Sequence, residues 1–397
     1  MTEPMSPPAA PRLASVDAYR GFVMLLMMAE VMDFSGVARA VPESGFWRFL
    51  GWNQSHAEWV GCSLHDLIQP SFSFLVGVAL PFSLASRAQQ GQSAAGMTVR
   101  TLRRALVLIL LGVFLRSIGR TQTEWTFEDT LTQIGLGYPL LFLCGFLPAR
   151  RQWLAFGFVV VGYWAAWALY PLPGPGFDYA AVNVPAGWTH HADGFAAHWN
   201  MNANLGAAFD RWFMNLFPRA TPYAGNHGGY LTLSFIPTLG TMLLGLVAGG
   251  WLRQPLPDRE RLRRMLLAGA ACAAAGLLLH GLGLCPIVKR IWTPAWTLFS
   301  GGLCFFLLAA FYAVIDVRGW CRWAFPLIVI GCNSITAYCL AHLLERFVAE
   351  SLQIHFGAGL FAAFGVAYVP LCRGALVLGV FWLILFWMYR RRLFLKV

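Results

Sequence analysis

Long apolar runs, separated by polar segments, recur along the chain from Gly21 to Tyr389. A helix needs about 20 mostly apolar residues to cross the hydrocarbon core of a bilayer. Ten runs approach this length and are interpreted as membrane spans: 21–38, 67–86, 102–119, 130–147, 153–171, 231–251, 265–284, 294–315, 324–345 and 373–390. The pattern therefore predicts an all-α integral membrane protein with about ten transmembrane helices, organised as a single domain over residues 1–397.

Two stretches depart from this alternation. Residues 172–230 form a long polar segment, rich in Pro, Gly, His and Asn, that also contains several aromatic residues. A connection of this length is usually functional or disordered, and the aromatic residues favour an ordered loop on the outer face. Residues 356–369 are apolar but short and rich in Gly, which predicts a re-entrant or interfacial segment whose role the sequence leaves open.

The composition agrees with a membrane protein and excludes a soluble globular one. Hydrophobic residues make up 58% of the chain, charged residues only 12%, and the mean hydropathy is +0.58. A soluble domain carries about 25% charged residues, which cover its surface. The nine cysteines are scattered and form no CxxC pair. This spacing predicts small buried side chains rather than disulfides or a cysteine-based zinc site.

The basic residues report the orientation of the chain in the membrane. With the N-terminus inside, nineteen of the 29 Lys and Arg residues fall in inner segments and ten in outer segments. Because inner loops are enriched in Lys and Arg, both termini are predicted to be cytoplasmic and no nucleic acid is expected as a partner. Glu30 and Asp33 interrupt the first apolar run, which argues against a cleaved signal peptide. The expected location is a bacterial inner membrane, which the chain crosses several times.

Ionisable residues near the outer ends of the first two spans are candidates for function, because charges at membrane depth are costly. Glu30 and Asp33 are three residues apart in the first span. His56, Asp66 and Gln69 precede or begin the second span. A neutral imidazole can act as a base near pH 7, and a neighbouring carboxylate can fix its tautomer. Alternatively, these residues cap the second helix and face water.

Two further groups of polar residues have a structural and a functional interpretation. Asn333, Ser334 and His342 lie within the ninth span, where Asn and Ser commonly join helices but could also contact a substrate. In the outer loop, His198-Trp199-Asn200 combines an aromatic face with polar groups, as a carbohydrate surface requires. The histidines of this loop match no established metal-ligand spacing, so no metal is expected.

Three stretches resemble the membrane-bound heparan-α-glucosaminide N-acetyltransferase family, in particular its bacterial members. Arg12–Gly21 is similar to the family's opening R-L-x-S-[LV]-D-x-x-R-G. His56–Gly61 followed by Asp66–Gly77 is similar to H-x-x-W-x-G and D-L-[IV]-x-P-x-F-x-F-x-x-G, which is the most specific of the three. Gly331–Ser334 is similar to the shorter G-x-N-S. The resemblance extends over most of the chain.

This resemblance implies transfer of an acetyl group from cytosolic acetyl-CoA to an amino sugar on the other side of the membrane. It places the catalytic histidine at His56, as a general base or a transient acyl carrier, with Asp66 beside it. Residues expected to bind the acceptor are Glu30, Asp33, Trp59, Gln69, His198, Trp199, Asn200, Asn333, Ser334 and His342. Arginines expected to bind the CoA phosphates, unless they reflect topology alone, are Arg20, Arg103, Arg104 and Arg253.

Departures from the family pattern concern the acceptor more than the acetyl donor. They are found at Leu131–Ile134, at Glu30–Asp33 and at His227–Tyr230. These positions favour a free or lipid-linked bacterial glycan over a heparan-type acceptor. By resemblance, a homodimer embedded in membrane lipid is expected.

The alternative function is a proton- or ion-coupled transporter or flippase for a small polar or glycan substrate. It would use Glu30, Asp33, His56 and Asp66 as a relay. The two functions require different cavities, because an acyltransferase needs a thioester channel that ends at His56. A transporter needs a site near the middle of the bilayer, commonly between broken helices.

Overall fold

The computed structural model describes residues 13–395, apart from the side chain of Ala358. These residues form helices and no named strand, and one isolated bridge joins Val60 to Val288. Arg12 and Lys396, which the charge analysis places on the inner side, lie outside the described residues. The α-helices are α1 Ala14–Met28, α2 Phe34–Ala40, α3 Gly45–Asn53, α4 Ile68–Gln89, α5 Ala94–Arg116, α6 Thr130–Cys144, α7 Ala149–Ala168, α8 Leu205–Phe213, α9 Phe235–Arg253, α10 Asp258–Gly281, α11 Pro294–Phe311, α12 Phe325–Cys332, α13 Ser334–Leu343, α14 Glu345–Phe356 and α15 Val369–Arg390.

The prediction of a multi-pass helical membrane protein is confirmed, but the count of ten spans is not. Six helical segments in the described chain are long and apolar enough to cross a membrane: Ala14–Ala40, His65–Gln89, Thr232–Arg253, Asp258–Gly281, Pro294–Val317 and Val366–Arg390. A seventh arises if Arg322–Cys332 and Ser334–Leu343, bent by 71°, form one broken span.

The other three predicted spans are helical but fall short for identifiable reasons. The run 102–119 lies largely in α5, which contains four arginines along its length. The run 130–147 becomes α6, whose 15 residues are fewer than the roughly 20 that a perpendicular span needs. The run 153–171 lies largely in α7, which begins with two arginines and contains several Trp and Gly residues.

Glycines allow the central helices to approach each other closely. At the crossing of α4 and α9, a Cβ added to Gly77 would lie 1.9 Å from the carbonyl oxygen of Met242, and one added to Gly245 would lie 1.9 Å from that of Phe74. Small residues at such contacts let membrane helices pack backbone to backbone. This crossing fixes α4, whose first turn follows the candidate site residue Asp66.

Replacing Gly245 by alanine is expected to destabilise the protein by about 1–3 kcal/mol, because the added methyl group would force α4 and α9 apart. The matched control is Gly250→Ala on the same helix, where a new Cβ meets nothing within 4 Å. Thermal unfolding in detergent should therefore show a lower Tm for Gly245→Ala only. Equal shifts for the two variants would contradict the role of this contact.

The segment 172–230 is folded. It contains α8 and short 3-10 turns at Ala180–Val182 and Gly194–Trp199. The ring of Trp199 stacks on Trp167 at the end of α7, with centroids 5.1 Å apart. The aromatic residues of this loop thus help to form a second hydrophobic core at one end of the helices.

The segment 356–369 does not form a span in the described structure. After α14 it folds into 3-10 turns at Ala358–Ala362 and Val366–Tyr368, which contact α15. Tyr368 also packs on Trp47 of α3, with ring centroids 5.9 Å apart. These contacts place the segment beside α3 and the start of α15.

Candidate active site

His56 and Asp66 meet in the loop that joins α3 to α4. The Nδ1 atom of His56 lies 2.8 Å from Oδ1 of Asp66. The other carboxylate oxygen accepts the backbone N–H groups of Ala57 and Ser63, both at 3.0 Å. Asp66 is fully buried, whereas the His56 side chain is 36% exposed. A fixed carboxylate that accepts a hydrogen bond from Nδ1–H leaves Nε2 as the nitrogen with the free electron pair.

Lys289 completes this group from the connection between α10 and α11. Its Nζ atom lies 3.0 Å from Nδ1 and 3.3 Å from Nε2 of His56, and 3.5 Å from Oδ1 of Asp66. The bridge between Val60 and Val288 joins the two loops, together with the hydrogen bond from Gly61 N to Ile287 O. Burial lowers the pKa of Lys289 to about 8, against the opposing effect of the Asp66 carboxylate.

His56 opens into a polar cavity of about 560 Å³, here termed the histidine cavity. Glu30 and Gln69 line it from the first two predicted spans, and Tyr230 does so from the end of the folded loop. Arg116 and Glu128 contribute charges from the segment around α5 and α6. The cavity therefore combines the His56 imidazole with acidic, basic and uncharged hydrogen-bonding groups.

A second cavity has a volume of about 330 Å³ and is termed the arginine cavity. Arg20, Arg87 and Arg104 line it, together with apolar side chains of α1, α4 and α5. The Nη1 atom of Arg87 and the Nε atom of Arg104 are buried without a hydrogen-bond partner among residues 13–395. Guanidinium groups with a buried, unsatisfied N–H donor are suited to an anionic ligand.

The two cavities are neighbours and share part of their lining. Phe72 of α4, Thr130 of α6 and Tyr338 of α13 line both of them. These three residues lie between the arginine cavity and the histidine cavity and are termed the junction. A long, flexible ligand anchored by the arginines could reach His56 through this junction.

Glu30 and Asp33 lie in different surroundings, because the helix breaks between them. Glu30 lines the histidine cavity, and its Oε2 atom is 3.9 Å from Nε2 of His65. Asp33 adopts a left-handed conformation with φ of 41° and caps α2 by accepting the N–H group of Gly36 at 2.8 Å. The structure therefore brings Glu30 to the site and does not place Asp33 there.

In the predicted carbohydrate surface at residues 198–200, Trp199 and Asn200 are buried and His198 is half-buried. Trp199 is 1% exposed. The side chain of Asn200 exchanges hydrogen bonds with the backbone of Ala192 at 2.8 and 2.9 Å. The ring of His198 packs against Phe195, with centroids 5.1 Å apart. None of the three lines the described cavities, because the loop turns its aromatic residues inwards to bury them.

The remaining predicted acceptor residues are divided. His342 lines the histidine cavity and Ser334 the arginine cavity. Asn333 occupies the break between α12 and α13, where its Oδ1 atom accepts the N–H group of Leu395 at 3.2 Å. Trp59 is 3% exposed, packs edge-on against Trp188 and lines neither the arginine cavity nor the histidine cavity.

Two of the four predicted CoA arginines line a cavity and two do not. Arg20 and Arg104 face the arginine cavity, whereas Arg103 and Arg253 are exposed and lie outside its lining. Arg103 points away because neighbouring helical residues differ in direction by about 100°. Sequence reasoning missed Arg87 and Lys289 as site residues, since each was interpreted only as part of the charge distribution.

Across residues 13–395, no group of three or more His, Cys, Asp or Glu side chains could hold a metal ion. Independently of this, the site presents an oriented imidazole beside a buried ammonium group. Such an arrangement can accept a proton or attack a carbonyl carbon.

Comparison with known proteins provides independent information about this site. No protein-family model matches the chain. The chain is similar to heparan-alpha-glucosaminide N-acetyltransferase of Homo sapiens, with 24% identity over 382 residues that cover 85% of this chain and 54% of the relative. The enzyme of the same name from Mus musculus is 23% identical over 381 residues, with the same coverage of both chains. The chain thus spans about half the length of these curated relatives.

Proposed function

We propose that this chain, a homologue of the heparan-alpha-glucosaminide N-acetyltransferases, is a transmembrane acyltransferase. It transfers an acetyl group from acyl-CoA, bound at the arginine cavity, to an amino sugar or another glycan at the histidine cavity. The observation that carries the proposal is the junction at Phe72, Thr130 and Tyr338, which lines both cavities. One ligand can therefore be anchored by arginines while its far end reaches His56.

The donor side fits the chemistry of CoA. Arg20, Arg87 and Arg104 would bind its phosphate groups, because guanidinium groups bind phosphate through paired hydrogen bonds. The apolar side chains of Leu75 and Leu108 line the same cavity and suit the uncharged pantetheine arm. The thioester end would then pass the junction and approach Nε2 of His56.

His56 can use this position in two ways. As a general base, Nε2 takes the proton of the acceptor amine or hydroxyl while the acceptor attacks the thioester carbonyl carbon. As an acyl carrier, Nε2 attacks that carbon itself, the C–S bond breaks, and the acceptor later displaces the imidazole. In both routes the imidazole becomes cationic, and the buried Asp66 carboxylate stabilises that charge.

The orientation in the membrane belongs to the same proposal. With ten spans and both termini in the cytoplasm of a bacterial inner membrane, the arginine cavity faces cytosolic acetyl-CoA and His56 faces the opposite side. The excess of Lys and Arg in the segments assigned to the inner side supports this orientation. A homodimer and a lipid-linked acceptor are both compatible with this proposal.

One observation favours the alternative, a transporter or flippase. The break of 71° at Asn333, between α12 and α13, is the type of broken helix that forms transport sites. Against a proton relay, Asp66 is buried and accepts hydrogen bonds from the backbone of its own loop. The side chain of Asp33 caps α2 and is therefore not free to take part in a relay.

Proteoliposomes distinguish these functions. Labelled acetyl-CoA is supplied to one face of the purified protein, and glucosamine or another amino sugar is enclosed on the other. Formation of acetylated sugar in the lumen, with release of free CoA outside, is expected of the acyltransferase. Uptake of unmodified sugar without thioester turnover would contradict the proposal and support transport.

Replacing Arg104 by glutamine is expected to raise the KM for acetyl-CoA by about 10-fold or more with a smaller change in kcat, because a hydrogen bond to a charged group contributes about 1.5–3 kcal/mol. Arg103→Gln, one residue earlier on α5 and exposed, is the matched control and should behave as the wild type. Steady-state kinetics with varied acetyl-CoA measures the difference. Equal KM values for the two variants would show that the arginine cavity does not bind acetyl-CoA.

A further inference from the structure

The acyltransferase function leaves the role of Lys289 unassigned, although this residue contacts both members of the His56–Asp66 pair. Its Nζ atom lies within 3.5 Å of His56 Nδ1, His56 Nε2 and Asp66 Oδ1. Its side chain is 7% exposed and lines the histidine cavity. A lysine needed only for solubility or topology would have its ammonium group in water.

We propose, on the basis of the acyltransferase function above, that Lys289 is the proton donor for the departing CoA thiolate and then the proton acceptor for the attacking acceptor group. Lys289 would thereby act as a catalytic acid and base that the sequence motif around His56 does not contain.

The proton balance closes over one catalytic cycle. When Nε2 of His56 attacks the thioester, the C–N bond forms, the C–S bond breaks, and the electron pair leaves with sulfur. The Lys289 ammonium protonates that sulfur, which gives free CoA thiol and a neutral amine beside the cationic acetyl-imidazole. The acceptor amine or hydroxyl then attacks the acetyl carbon, the C–N bond to His56 breaks, and the acceptor's proton returns Lys289 to its ammonium form.

In the route without an acyl intermediate, the same residue is restored by His56. Nε2 takes the acceptor's proton, the thiolate takes one from Lys289, and the imidazolium passes its proton to the neutral amine 3.3 Å away. Both routes therefore end with neutral His56, charged Lys289, free CoA thiol and acetylated acceptor.

The charges at the site require such a transfer. A cationic imidazole 3.3 Å from an ammonium group is strongly repelled in a partly desolvated site. Loss of the Lys289 proton at the moment His56 becomes cationic removes this repulsion. The buried carboxylate of Asp66 then balances the charge of only one cation at a time, either His56 or Lys289.

The acidity of Lys289 suits this task. Burial lowers its pKa to about 8, which is close to the ordinary pKa of a thiol, about 8.5. A general acid or base is most effective when its pKa lies near the operating pH. Besides His56 and Asp66, the titratable and charged groups around Lys289 are Glu30 from the first predicted span, Cys62 and His65 from the His56 loop, the adjacent Arg290, and Arg116, Glu128, Tyr230 and His342 across the cavity.

Kinetics of the detergent-purified full chain test the proposal with Lys289→Met and Lys289→Arg. Wild-type acetyl transfer from CoA should fall as the pH rises above about 8, because the donor must carry its proton. Lys289→Met should be about 10²–10⁴-fold slower and lose this pH limb. Lys289→Arg should also stay slow, since arginine keeps its charge but does not release its proton.

A second donor separates proton donation from a structural role. Phenyl thioacetate releases a thiolate that needs no proton, so Lys289→Met should approach the wild-type rate with it while remaining slow with acetyl-CoA. An equal defect with both donors would overturn the proposal, as would an active Lys289→Arg protein. Absence of acetyl-CoA turnover by the wild-type protein would instead overturn the acyltransferase function itself.

Discussion

Replacing His56 by alanine is expected to reduce acetyl transfer from acetyl-CoA by about 10³-fold or more. General acid–base groups contribute about 10²–10⁴-fold to the reaction rate. If His56 instead carries the acyl group, alanine cannot form that intermediate and the loss is larger. The fold should be retained, because the His56 side chain is 36% exposed and lies in a loop. Single-turnover assays with labelled acetyl-CoA measure both the rate and any label retained on the protein.

The control for this experiment is His280→Ala. His280 is exposed in the last turn of α10 and lines neither described cavity. Its variant should turn over acetyl-CoA as the wild type does. A His56→Ala protein with normal Tm and at least one tenth of wild-type activity would show that the imidazole does not carry the chemistry. Label retained on the wild type and lost in His56→Ala would favour the acyl-carrier route.

Replacing Thr130 by phenylalanine is expected to block acetyl transfer by at least about 10²-fold while leaving donor binding intact. Thr130 lies at the junction of the two cavities, and a larger side chain there would keep the thioester from reaching His56. A displacement of about 1 Å at a reacting centre can cost about 10²-fold in rate. Calorimetric titration with a non-hydrolysable acetyl-CoA analogue should still report binding at the arginine cavity.

The start of α6 should tolerate this change. The cap of the helix is provided by Asp129, whose side chain accepts the N–H groups of Leu131 and Thr132 at 2.9 and 3.2 Å. Thr130→Val, which keeps the shape of the side chain, is the matched control and should transfer acetyl groups normally. Wild-type rates for the phenylalanine variant would mean that the donor does not pass between these cavities.

Part of the candidate site could be predicted from the sequence. His56 and Asp66 are ten residues apart in one loop, so a single local motif contains both and a hairpin-like path can join them. Arg20 and Arg104 were also identified, although the same reasoning selected Arg103 and Arg253, which are exposed. Counting charges does not tell which side of a helix each arginine occupies once several helices surround it.

The aromatic loop shows that composition does not determine burial. A run of Trp, His and Asn beside a membrane is typical of a sugar-binding surface, and this pattern predicts such a surface at residues 198–200. In the structure Trp199 stacks on Trp167, because large apolar rings gain more from burial than from exposure to water. The same loop instead contributes Asn226 and Tyr230 to the histidine cavity, residues that no local pattern distinguished.

The amino-acid sequence alone identified the membrane-embedded, helical nature of the chain, the excess of positive charge in the segments assigned to the inner side, and the motif that contains His56 and Asp66. These are local properties, since hydrophobic runs, charge bias and short motifs depend on neighbouring residues. The folded structure was needed to show that His56 contacts Asp66, that Phe72, Thr130 and Tyr338 line both cavities, and that Lys289 lies against His56 across 233 residues of chain. Such contacts depend on how closely packed helices and loops are arranged in space, and sequence spacing does not record that arrangement.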